Sequence, residues 1–165
     1  SGIGIHPSYA SNSDSKKIIK EKGRLEKITN QIVVNSRQHF LMLRFPDTYR
    51  NLIQAGITDD YTMGYADALG FRSGLCCPYK FYDLVNEKET ALTIHPFAVM
   101  DGTLNSYLKL SPENAIEEVK KVIAETKKVN GEFISIWHNE TLSDWREWKG
   151  WKLFYEEVLK AATPS

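Results

Sequence analysis

Hydrophobic and polar positions along this chain follow two alternating periods. Residues 2–5 form a short apolar run with two glycines, which predicts a strand ending at His6. Pro7 has no amide hydrogen and biases the residue before it away from helix, so the chain turns there. Ser13 or Asp14 suits a helix N-cap, and Ile18, Leu25 and Ile28 recur on one face of a helix reaching about Thr29. Gly23 weakens that helix without forbidding it. Ile32, Val33 and Val34 are β-branched and predict a second strand. Pro46 suits the first turn of a second helix, with Tyr49, Leu52 and Ile53 apolar and Gly56 at its stop. A strand within residues 57–63 leads into a glycine-dense loop at 64–74. Residues 78–84 are rich in aromatics and follow neither period clearly. Residues 91–95 predict another strand, which continues towards Met100 and Asp101.

The clearest local signal comes next. Ser111 caps a helix, Pro112 takes its first position and Glu113 lies in its first turn. Ala115, Ile116, Val119, Val122 and Ile123 share one face, and Gly131 follows Lys127 and Lys128 as the stop. Residues 133–137 predict a strand running into His138. Residues 148–161 predict a last helix that buries Trp151, Phe154, Tyr155, Val158 and Leu159.

Strand and helix alternate, which predicts one α/β domain over residues 1–165 with a parallel sheet. A doubly wound sheet and a (β/α) barrel both fit that order. His6, His39, Arg72, Asp101 and His138 each fall at or just beyond the C-terminal end of a predicted strand. Barrels carry their catalytic groups at that end, so the pattern favours a barrel-like site.

Charge narrows the partners. Lys and Arg number 21, as do Asp and Glu, for a formal net charge of zero. That balance argues against nucleic acid or an anionic membrane as the main partner, because both select basic surfaces. No apolar run approaches the roughly 20 residues of a membrane-crossing helix. Cys76 and Cys77 are adjacent, and a bridge between neighbours closes a strained ring, so they read as free thiols packed as small hydrophobes.

Two neutral imidazoles with a carboxylate make a usual site for zinc or another divalent ion. His6 and His138 directly follow predicted strands, His39 lies in an alternating segment, and His95 is followed by Pro96. The spacings include no tight His-x-x-His or Cys-x-x-Cys pattern, so spacing alone selects no metal. Arg72 stands between Gly70 and Gly74, placed either to orient a carboxylate or to serve a structural ion pair. Asp101 is placed either to hold His138 in one tautomer or to cap a turn near Gly102. Trp137, Trp145, Trp148 and Trp151 cluster near the last strand, divided between core and sugar-stacking roles.

Four short pieces then matter as a set: Gly4-Ile5-His6-Pro7-Ser8-Tyr9, Ser36-Arg37-Gln38-His39, Thr62-Met63-Gly64-Tyr65 with Gly70-Phe71-Arg72-Ser73-Gly74, and Ile136-Trp137-His138-Asn139. In this order they resemble the polysaccharide deacetylases of the NodB-homology type (carbohydrate esterase family 4), and more narrowly a variant branch common in Bacteroidetes. The resemblance implies a distorted (β/α) barrel that binds a divalent metal, zinc by expectation, through one aspartate and two histidines. It implies an aspartate base acting on metal-activated water and a late histidine acting as acid. His6 matches the first metal histidine, Arg72 the arginine that braces the base, and His138 the acid. Asp101 is the looser match, the carboxylate that tunes the acid.

Tyr9, Tyr65 and Trp137 lie within the matching pieces and are the expected substrate contacts. Two departures stand out. Ala10 occupies the position of the family's second metal histidine, for which His39 is the candidate substitute. The motif carrying both aspartates belongs ahead of His6, so this chain is expected to be the C-terminal portion of an incomplete barrel. One metal ligand and the base are then expected upstream, leaving this fragment inactive alone. The expected partner is an acetylated polysaccharide or oligosaccharide, with a homodimer covering the sheet edge left open. Two alternatives remain: a non-catalytic sugar-binding or scaffold domain that kept the fold, and a barrel hydrolase acting on peptides or small amides.

Overall fold

The computed structural model describes residues 2–163. They divide into two compact units, one taking the residues up to Met63 with Pro78–His95, the other Gly64–Cys77 with the residues from Pro96 onward. The architecture is mixed α/β with parallel strands.

In the first unit the strands are β1 (Gly4–Ile5), β2 (Asn35–Ser36), β3 (Asp59–Asp60), β4 (Tyr79–Asp83) and β5 (Lys88–Ile94). They lie in the order β1-β2-β3-β5-β4, parallel from β1 to β5, with β4 folded back antiparallel on β5. The hairpin accounts for residues 78–84, whose aromatics obscured their period. The β-branched run before β2 lies just ahead of the ladder. Pairing starts only at the Val34 carbonyl, which accepts from both Thr58 N and Asp59 N. Val33 is nevertheless fully buried, whereas Ile32 is exposed.

Helix α1 (Ser15–Thr29) starts where its side-chain cap predicts: Asp14 accepts from the amides of Lys16 and Lys17. Helix α2 (Asp47–Gln54) ends at Gly56, whose φ of +75° suits a residue without Cβ. Ile18 of α1, Tyr49 and Leu52 of α2, and Ile5, Leu92 and Ile94 of the sheet form one buried core. Each fully buried Ile or Leu contributes about 1.5–3 kcal/mol. Arg50 of α2 adds a bidentate ion pair to Asp83 of β4, with both N–O distances 2.8 Å. Ile28 ends up exposed, so α1 buries only part of its predicted face.

In the second unit β6 (Val99–Met100) and β7 (Ser135–Ile136) pair in parallel. Helix α3 (Pro112–Lys128) has Ser111 as its cap and Pro112 in its first turn, as the sequence predicts. Helix α4 (Trp151–Ala162) starts after the predicted residue 148 because 146–148 form a separate tight turn and Gly150 follows at a φ of +86°. Val99, Ala115, Val119, Ile123, Trp151, Phe154 and Val158 form this unit's core, while Leu159 is exposed. The loop at 64–74 is tied to this unit: Gly70 N donates to the Ala98 carbonyl at 2.9 Å, and Thr103 Oγ1 to the Ala66 carbonyl at 2.7 Å. No helix among the described residues is long and apolar enough to cross a membrane.

Candidate active site

In the first unit the parallel ladder aligns Ile5, Ser36, Asp60 and Ile94 on one rung. Three more bonds carry it one residue further: Arg37 N to Ile5 O, Tyr61 N to Ser36 O, and His95 N to Asp60 O, at 2.8–3.0 Å. Side chains alternate between faces along each strand, so His6, Arg37, Tyr61 and His95 form a row on the face opposite Ile5 and Ile94. Ile5 and Ile94 point into the core with α1 and α2. The row lies at the strands' C-terminal edge, where the sequence places His6.

His6 Nδ1 is 2.8 Å from the Arg37 carbonyl oxygen. A carbonyl only accepts, so Nδ1 carries the hydrogen. The His39 ring lies with its centroid 4.5 Å from that of His6, tilted by 36°. The two imidazoles are therefore in ring contact. Among the described residues no group of three or more His, Cys, Asp and Glu side chains gathers into a fuller metal site. His95 has another attachment. Its Nε2 lies 2.8 Å from Asp59 Oδ1, and its ring stacks on Tyr61 at 4.4 Å.

Asp60 belongs to the buried side of the same rung, and sequence reasoning passed over it. It is fully buried and accepts from Thr62 N at 3.0 Å and Thr62 Oγ1 at 2.8 Å. Burial outweighs those bonds and the nearby Arg37 charge, and pushes its pKa up to about 7. The same desolvation pulls the pKa of Arg37 down, with the charge of Asp60 opposing it. The available signal was two aspartates in succession at a strand end, which period-two alternation sends to opposite faces.

The second unit holds a different constellation. Asp101, directly after β6, is fully buried and accepts from Gly102 N and His138 N at 2.6 Å each, and from Thr141 Oγ1. Its Oδ1 is 2.7 Å from Nδ1 of His138, whose side chain is about half exposed. Both sequence readings of Asp101 hold together: it supports the turn at Gly102 and orients the imidazole. Thr141 was missed, since a threonine in an irregular turn carries no periodic signal. A π-helical turn, Thr103–Tyr107, starts directly after this site.

The remaining candidates are more dispersed. Arg72 and Tyr65 are exposed on the 64–74 loop. Trp137 is half buried, donates from Nε1 to Ser135 Oγ at 2.9 Å, and packs against Phe154 and Tyr155. Trp148 and Trp151 are core, whereas Trp145 is exposed with the Arg146 guanidinium 4.0 Å over its ring. Tyr9 is exposed and meets Phe40 edge-to-face. No protein-family model and no curated protein matches this chain.

Proposed function

We propose that this chain supplies part of a metal-dependent deacetylase that hydrolyses acetyl groups from N- or O-acetylated carbohydrate, on an incomplete (β/α) barrel. The observation that carries the reading is the Asp101–His138 pair, a buried carboxylate holding a half-exposed imidazole at a strand end. Asp101 accepts the Nδ1 hydrogen, so Nε2 takes up a proton from the base side of the reaction to form the imidazolium that a general acid requires. His138 protonates the leaving amine or alcohol from Nε2 as the acetyl carbon–heteroatom bond breaks. His6 and His39 would hold the divalent ion, with His6 Nδ1 anchored on the Arg37 carbonyl. When bound, such an ion acidifies water and polarises the acetyl carbonyl.

Acetate release from acetylated xylan and a chitin oligomer by the longest natural chain containing these residues tests the reading. Release by wild type and its loss in His138→Ala is the expected result. No release from any acetylated sugar removes it. A non-catalytic sugar-binding domain is then the better reading, and the methyl of Ala10 at the second ligand position favours that one.

A further inference from the structure

The turn that delivers His39 does something its two neighbours make visible. Phe40 and Leu41 both take left-handed backbone conformations, with φ of 54° and 52°. Bulky L-residues avoid that region because Cβ crowds the carbonyl, and here two occur in succession. The result is a phenyl ring left 74% exposed beside the imidazole pair. Gln38, at the start of this turn, is buried and anchored, donating to Ser36 Oγ and accepting from Asn12 Nδ2. Local strain held by a rigid base is the pattern found at ligand-binding positions.

A second aromatic is held against the first by separate means. Tyr9 is 62% exposed and meets Phe40 at 82° with ring centroids 5.9 Å apart. Its turn is pinned from α1, where Glu21 accepts from Ser8 Oγ at 2.6 Å and from Ser8 N at 3.0 Å. His39 lies edge-on to Phe40 at 4.8 Å, and His6 lies beside His39. The four rings therefore make one continuous surface, apolar at Phe40 and Tyr9 and able to exchange hydrogen bonds at the imidazoles and the phenol.

We propose that Phe40 and Tyr9 form a platform on which a pyranose ring stacks, next to the sugar presented at the His6–His39 pair. Accepting an acetylated carbohydrate as the substrate is the premise, and the platform adds where its ring rests. The negative face of an aromatic ring attracts the polarised C–H groups on the apolar side of a pyranose. The Tyr9 hydroxyl and the imidazole edges suit the sugar's hydroxyls. Stacking on Phe40 and Tyr9 asks for no charge on the sugar.

Titration of chitin and acetylated xylan oligomers into the full chain tests this, with Phe40→Ala, Tyr9→Ala and the remote Ile32→Ala as control. We expect about tenfold weaker binding for Phe40→Ala, a smaller loss for Tyr9→Ala and none for Ile32→Ala. Saturation-transfer contacts between sugar C–H protons and the Phe40 and Tyr9 rings are expected in wild type, a measurement independent of how any variant folds. Equal affinity for wild type and Phe40→Ala overturns the platform, as does an absence of sugar binding by wild type. A change in oligomeric state in Phe40→Ala without a change in sugar affinity also overturns it, in favour of a contact between copies. Acetate release separates the two claims: release that survives Phe40→Ala leaves the hydrolytic reading standing without the platform. Sugar binding lost in Phe40→Ala, with no acetate release by wild type, does the reverse.

Discussion

Nδ1 of His138 lies 2.7 Å from Oδ1 of Asp101, and the carboxylate that holds it is fully buried while the imidazole reaches solvent. A carboxylate accepting from two amides, a hydroxyl and a ring nitrogen is over-determined in position, so the histidine is pointed rather than merely tethered.

Replacing His138 with alanine is therefore expected to separate chemistry from folding. Under the proposed function, acetate release by the longest natural chain containing these residues should fall by about 10²–10⁴-fold, the range for losing a positioned general acid. Thermal unfolding should change little, because the side chain is half exposed and Asp101 keeps its other donors. A large loss of stability with normal turnover in the residual folded protein would contradict the assignment.

Asp60 makes stability depend on pH. Its folded pKa, raised to about 7, stands above the roughly 3.9 of an unfolded aspartate, so the folded state holds the extra proton between these values. The contribution is fully present below about pH 4 and lost as pH rises to about 7, a loss on the order of 4 kcal/mol. Urea unfolding should show wild type weakening across that window and Asp60→Asn staying flatter and more stable near pH 8. A wild-type profile that stays level from pH 5 to 8 would count against a buried neutral carboxyl.

Gly64 is required by Phe97, whose ring occupies the space where a Cβ would project. Phe97 is itself fully buried, so neither group has room to yield. Gly64→Ala should destabilise by about 1–3 kcal/mol, the usual range for overpacking, read as a lower unfolding midpoint. An unchanged midpoint would mean that the Phe97 ring can move.

The sequence disclosed elements with a strong local grammar. Asp14, Ser111 with Pro112, and Gly56 act through their own backbone neighbours, and each stands where it was expected. Strands were harder because β1, β2 and β3 pair over only two residues each, too few for periodicity to set their bounds. The Asp101–His138 contact followed from two strand ends. The His6–His39 pairing did not follow from spacing, since it depends on β1 and β2 being neighbours in the sheet. Asp60 escaped notice because its burial is set by alternation and by helices packed from elsewhere in the chain.

The most direct test of the proposed metal site is a zinc titration of the longest natural chain containing these residues, wild type beside His6→Ala and His138→Ala. The account predicts about one ion bound by wild type and by His138→Ala, and loss of that ion in His6→Ala. An ion that His6→Ala still binds as tightly, or a wild type that binds none, would contradict it.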